Sequence, residues 1–334
     1  MNILVLGGDG FIGSYFADKA VSLGHKVTVF DRFPYNVSKN LESQRGKVRF
    51  INGEFANRKQ LAAALQNQTV VYHFICATTP VTSWQDPFIE IETNLRSSIQ
   101  LGELAAIAGV KKIVFSSSGG TIYGRQKTVI KENTLPCPFN PYGIAKLATE
   151  HFLNYFREHR GVAVDIYRVG NAYGPRQPMD SPQGVIAVWM GRILNNDKIE
   201  VYGDANTVRD YVYVEDIAHL FTHSLNDIES SDIYNLGSGQ GVSVLKLLEV
   251  FRTVIDKPFK YKIFSRRKCD NTSVILDSSK LLSFFPGFKF QKIEDKIRDT
   301  WLYVKEQHSN KKPLKSAKRV MTSLTRSPMP VKGF

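Results

Sequence analysis

Apolar and polar positions along the first half of the chain follow two rhythms. Short runs rich in β-branched residues read as strands: 3–6 (ILVL), 26–30 (KVTVF), 47–51 (KVRFI), 70–74 (VVYHF), 112–115 (KIVF) and 162–167 (VAVDIY). Longer stretches with helical spacing lie between them, among them 11–23, 87–109 and 140–159. This alternation predicts βαβ units and a parallel sheet covered on both faces. After about residue 170 the rhythm changes to Gly/Pro-rich loops (YGPRQPMDSPQG), short strands (IEVY, IYNL) and helices near 183–195, 215–226, 243–254 and 293–306. The expected class is α/β, a doubly wound sheet with a smaller, loop-rich C-terminal lobe at the edge where such sheets place ligands.

Composition changes this picture little. The 334 residues, 43% hydrophobic, suffice for a full core, and no apolar run reaches the roughly 18–20 residues of a spanning helix. The start, MNILVLGGDG, has no basic region ahead of its short apolar run and does not read as a signal peptide. Cys76, Cys137 and Cys269 are far apart and suggest neither a disulfide framework nor a zinc site; no metal is expected, and the cytoplasm is the expected compartment. The formal charge is +13, but seven Lys/Arg and no acid lie beyond residue 307. Residues 308–334 therefore read as a basic, flexible tail and the rest as unexceptional, so nucleic acid is not an expected partner. Contact of the tail with anionic lipid is the less favoured reading.

Three stretches carry chemistry. GGDGFIG places Gly7, Gly10 and Gly13 between a strand and a helix, where Phe11 and Ile12 open the helix and its N-terminus can face a pyrophosphate. Asp31, about twenty residues on, closes the second strand; a carboxylate there accepts from ribose hydroxyls and repels a 2′-phosphate, so NAD is expected despite the neighbouring Arg32. The sheet is thus of Rossmann type, with residues 1–170 as its NAD-binding domain and 171–307 as an interleaved substrate-binding lobe. PYGIAK puts Tyr142 and Lys146 at i and i+4 on one helix face, where an ammonium and a cationic nicotinamide would favour the phenolate. SSSGGTIYG (116–124) puts three hydroxyls at a strand end, followed by two glycines.

These stretches, with VYHF, NPYGIAK, RVGNAYGPRQ, VYGDANTVRDYVYVEDIA, IYNLGSGQGVSV and RRKCD, resemble the extended short-chain dehydrogenase/reductase family, and within it the UDP-hexose 4-epimerases. The resemblance covers about residues 1–305. It implies that a Ser or Thr at the end of the fifth strand is catalytic. Counting from the strand side this is Ser118, with Ser117 second; counting back from Tyr123 the register falls on Gly119. It also implies cofactor contacts from Asn94, from Phe74 in HFIC (a departure from the usual segment), and from Glu54 or the amide of Phe55. Asn171, Arg209 and Arg267 would hold the nucleotide diphosphate, and Val274 would border the carbon-2 substituent. His73, Trp189 and Trp301 are expected to pack. Relatives that eliminate water place acids after the catalytic hydroxyl, where Gly119, Gly120 and Thr121 stand here. The implied activity is therefore 4-epimerisation of a nucleotide hexose, glucose/galactose or the N-acetylhexosamine pair, through a 4-keto sugar. A 4-keto-6-deoxyhexose reductase is the alternative; a non-catalytic NAD-binding scaffold is disfavoured by the intact Ser118, Tyr142 and Lys146. The resemblance implies a homodimer pairing helices 87–109 and 140–159.

Overall fold

A computed structural model describes residues 1–310 except Tyr35, Asn36, Lys127, Ala205 and Thr272, so the tail from 311 onward lies outside the described residues. Six strands follow the first rhythm: β1 (Asn2–Leu6), β2 (Lys26–Asp31), β3 (Val48–Asn52), β4 (Val70–His73), β5 (Lys112–Ser118) and β6 (Ala163–Val169). The second half adds β7 (Asn171–Tyr173), β8 (Ile199–Tyr202), β9 (Val208–Tyr213), β10 (Asp232–Leu236), β11 (Gly241–Ser243), β12 (Tyr261–Phe264) and β13 (Ser273–Val274).

The main sheet is seven-stranded and parallel, in the order β10-β6-β5-β4-β1-β2-β3. Successive residues of a strand point to opposite faces. Ile3 and Val5 accordingly join one core with Phe16, Tyr72, Ile217 and Phe221, while Leu4 and Leu6 join another with Leu61, Leu101 and Leu153. The chain reverses direction across the sheet between β1 and β4, and that crevice is where open α/β sheets bind ligands. The smaller lobe pairs β9 with β7, β11 and β13, and β8 with β12, around a third core that contains Trp189 and Trp301. The sheet also recruits β10, the IYNL strand, from beyond residue 171.

The expected helix 87–109 forms, with one irregularity. Residues 88–107 are helical without a break, and a π-type turn at Glu90–Leu95 precedes the regular stretch Arg96–Ile107. A separate short helix, Pro80–Gln85, comes before it, and the extended Asp86 divides the two because the ring of Pro87 disfavours helical geometry at the residue before it.

Candidate active site

The turn between β1 and the helix Phe11–Ser22 has the shape a pyrophosphate needs. Gly7 has φ +77°, and a Cβ on Gly13 would lie 2.2 Å from the Gly7 carbonyl oxygen, so any side chain there would push helix and strand apart. Gly10 caps the helix without a side chain, and the first turn holds no acid, so the amides of Phe11, Ile12 and Gly13 remain available to an anion. Asp31, at the end of β2, accepts from the amides of Asp9 (2.9 Å) and Arg32 (2.8 Å). Burial raises its carboxyl above the usual range, while those two amides act the other way. Arg32 is exposed. These groups fit the adenosine and pyrophosphate of a dinucleotide. Glu54, just beyond β3, is exposed, with its amide bonded to Gln60 Oε1 (2.8 Å). Phe55 is buried against His73, with ring centroids 4.9 Å apart. Phe74 packs with Phe221 (5.1 Å) and Phe16 (5.8 Å) on the face under the first helix.

Asn140 fixes where the helix Pro141–Arg160 begins: its Oδ1 accepts from the Gly143 amide (2.8 Å), and Pro141 fills the first position. Tyr142 and Lys146 follow on one face. Lys146 Nζ donates to the Ser116 carbonyl (2.9 Å), at the end of β5, and sits 4.7 Å from the Phe115 ring centroid and 5.8 Å from that of Tyr142. Strand alternation separates the serines. Ser117 turns into the protein, donating to Glu150 Oε1 (2.6 Å), and Glu150 is itself paired with Arg168 (2.7 Å). Ser118 is half-buried, and its hydroxyl takes no protein partner among the described residues. The helical turn Gly119–Ile122 follows it directly. Burial pushes the Tyr142 phenol well above its usual range, and the Cys76 thiol and Glu90 carboxylate that face it push the same way.

Asn94 works on the chain behind this group. Its Oδ1 accepts from the Ala77 amide (2.9 Å), and its Nδ2 donates to Thr78 Oγ1 and Glu90 Oε2 (2.8 Å each). In the smaller lobe, Arg209 on β9 donates from NH1 to the Val208 carbonyl (3.0 Å) and from NH2 to the Asn271 carbonyl (2.7 Å). Asn171 Nδ2 donates to the Asp210 carbonyl (3.2 Å). Arg267 pairs with Asp270 (2.8 Å) and lies 4.7 Å from the Tyr202 ring centroid. Val274 is buried and packs with Tyr123, Ile130 and Leu276. Beside Tyr202, a recess of about 520 Å³ is lined by residues that include Gly203, Thr207, Phe264 and Arg266.

The profile of the NAD dependent epimerase/dehydratase family matches residues 3–237. The chain belongs to that family. Among relatives of this family member, the UDP-glucose 4-epimerase of Mycolicibacterium smegmatis is 28% identical over 285 residues, covering 84% of this chain and 91% of its own. The dTDP-4-dehydro-6-deoxyglucose reductase of Escherichia coli is 29% identical over 260 residues, 76% of this chain and 82% of its own. The crystal structure of the Thermus thermophilus UDP-glucose 4-epimerase in complex with NAD superposes with a TM-score of 0.83 at 30% identity, covering 91% of this chain and 99% of that one.

Several residues that shape the site of this epimerase/dehydratase-family chain escaped sequence reasoning. Asp9 sits inside the glycine turn, and its carboxylate accepts from Ser38 Oγ (2.6 Å) and from the amides of Lys39 (2.8 Å) and Asn40 (2.9 Å), strapping that segment beside Asp31. An acid in a turn that needs no side chains was the available signal. Tyr202 carried none, being one aromatic in a short strand. Cys76 stood in the departing HFIC segment, and Glu90 stood in a stretch whose helical phase the π-type turn changes.

Proposed function

We propose that this protein interconverts the two configurations at carbon 4 of a UDP-activated hexose, glucose/galactose or the N-acetylhexosamine pair, with NAD as resident cofactor. The carrying observation is a single helix face that holds Tyr142 and Lys146, with the Lys146 ammonium bonded to the Ser116 carbonyl two residues from the unpartnered Ser118 hydroxyl, and side-chain-free Gly119 and Gly120 next in line. Family membership and the names of the relatives support the same reading.

Gly7, Gly10, Gly13, the amides of Phe11 and Ile12, and Asp31 would hold the cofactor. Bound NAD supplies an acceptor and donor of hydride at carbon 4. Tyr142 takes the proton of the 4-hydroxyl and later returns it to the same oxygen. Its burial disfavours the anion, so it would ionise only with positive charge close by, and the Lys146 ammonium, 5.8 Å from the ring centroid, is one such charge. Ser118 donates to the reacting oxygen and keeps it in line with the phenol. Arg209 and Arg267 suit the diphosphate, because guanidinium forks pair well with phosphate oxygens. Tyr202, stacked under Arg267, offers a flat face for the nucleotide end. Anchoring at the diphosphate leaves the sugar free to turn and present its other face. Elimination of water would need an acid and a base beside the reacting hydroxyl. Gly119, Gly120 and Thr121 provide neither, and Glu90 is engaged with Thr78 and Asn94.

The test is incubation of the protein as purified with UDP-glucose and, separately, UDP-N-acetylglucosamine, without added cofactor. Appearance of the 4-epimer, with about one NAD per chain released on denaturation, is the expected result. Strict dependence on added NADH or NADPH would replace it by the second reading, a nucleotide-linked 4-keto-6-deoxyhexose reductase using the same three groups, which the Escherichia coli relative favours. A homodimer through the helices at 87–109 and Pro141–Arg160 forms part of the proposal, because the first exposes Ile91 and Ile107 and the second Ile144, Phe152 and Tyr155. No described helix is long and apolar enough to cross a membrane.

A further inference from the structure

Glu90 is only 3% exposed, yet among the described residues its carboxylate has no ion-pair partner. It accepts from Thr78 Oγ1 (2.5 Å) and Asn94 Nδ2 (2.8 Å), both neutral donors. A buried carboxylate held this way costs stability, and removing the charge would relieve that cost. The π-type turn Glu90–Leu95 carries it, an irregularity of the kind that concentrates at functional sites. Across a cavity of about 10 Å³, with room for about one water, Glu90 faces Lys146, His73 and Thr149. His73 is neutral there: burial, then the Lys146 charge, lower its pKa to about 3. The helix Pro80–Gln85 and the turn Gly119–Ile122, which also pack on Pro141–Arg160, carry no titratable side chain. The helix Arg96–Ile107, β5 and β6 pack there too, but Glu103 pairs with Arg58, Lys112 with Asp165 and Arg168 with Glu150, while Arg96 is exposed. Among the described residues, Lys146, Glu90, the Cys76 thiol and neutral His73 are the remaining titratable groups on this side of the helix.

We propose that Glu90 is a positioning residue for the proton transfer at Tyr142: its fixed negative charge offsets Lys146 and makes ionisation of Tyr142 conditional on a second positive charge entering the site. This rests on the reading of Tyr142 as the proton carrier. An oxidised nicotinamide is such a charge and a reduced one is not, so Glu90 keeps the proton on Tyr142 whenever it must be returned to a 4-keto sugar. Tyr142 thus acts as a base only beside oxidised cofactor and as an acid otherwise.

The test compares wild type with Glu90→Gln, which keeps the shape and removes the charge, and with Glu90→Asp, which keeps the charge. Two readouts are needed. The first is the acid limb of the kcat/KM pH profile. The second is the titration of Tyr142 in protein carrying ¹³Cζ-labelled tyrosine, with the resonance assigned by its loss in Tyr142→Phe. In E90Q both midpoints should fall by about one to three pH units, the range for removing one nearby charge at an effective dielectric of about 20, while E90D stays near wild type. Midpoints unchanged in E90Q would overturn the proposal. Should E90Q fail to fold, Glu90→Ser supplies the neutral arm with the same expectation. Should neither UDP-sugar be turned over, the proposed function fails, yet the Tyr142 titration still decides the role of Glu90.

Discussion

Two adjacent serines at the end of β5 point to opposite sides of the sheet, and their substitutions should separate cleanly. Ser118→Ala removes a hydroxyl that is open to the cleft; turnover should fall about 100-fold or more, with the melting temperature unchanged. Ser117→Ala leaves the Glu150–Arg168 pair short of one buried donor, so it should cost about 1 kcal/mol of stability and leave kcat near wild type. Thermal melts beside steady-state rates read both, and the reverse pattern would move the reactive hydroxyl to Ser117. His73 gives a pH signature. Its folded-state pKa of about 3 lies below the ordinary imidazole value, so the stability it contributes is present above pH 6.5 and drains away as pH falls toward 3. Within that window the loss is about 1.4 kcal/mol per pH unit, and His73→Gln should melt with a correspondingly shallower acid dependence than wild type. At this scale the sequence was legible where chemistry sits in a short motif: Tyr142 and Lys146 are four residues apart on one helix. It was silent about Glu90 and Cys76, which reach Tyr142 only through the packing of the π-type turn and the loop after β4 against that helix.

Elements were legible wherever one local rule dominated. All six strand runs of the first half became strands, and the serine run proved to extend β5 rather than to follow it. The expected helix 87–109 forms over residues 88–107, but periodicity gave no sign of the π-type turn inside it, from which Asn94 and Glu90 reach the loop after β4. The segment after β2 was opaque for another reason. Beyond the Leu41 amide donating to Ser38 Oγ (2.8 Å), residues 38–40 are held by a carboxylate some thirty positions earlier. Asp9→Ala should free that segment, weaken NAD binding about tenfold and leave the far-ultraviolet dichroism unchanged, because hydrogen bonds to charged groups are each worth about 1.5–3 kcal/mol. Cofactor content after gel filtration and calorimetric titration would measure it; full retention of NAD would mean that the strap does not shape the adenosine end.

On the scale of the whole molecule, the exposed apolar positions of the helix Pro141–Arg160 bear on assembly. If a second copy covers Ile144, Phe152 and Tyr155, Phe152→Glu should turn a dimer into a monomer in light scattering while leaving the isolated fold intact. A monomeric wild-type protein would remove the homodimer from the proposal. The outline of the sheet could be read from the sequence because parallel strands and their helices repeat a simple pattern, whereas the pairing of the smaller lobe joins strands of two to six residues that carry little pattern of their own. Nor could periodicity reveal that the chain leaves the main sheet after β6, returns to lay β10 against it, departs again through β11–β13, and sends Leu281, Phe285 and Phe288 back to the core that contains Phe16 before the helix Ile293–Asn310. Stitching of this kind leaves no single hinge. Rotation of one lobe on the other would have to flex every crossing together, so the substrate of the proposed reaction would enter and leave through the motion of loops and side chains rather than by the opening of two halves.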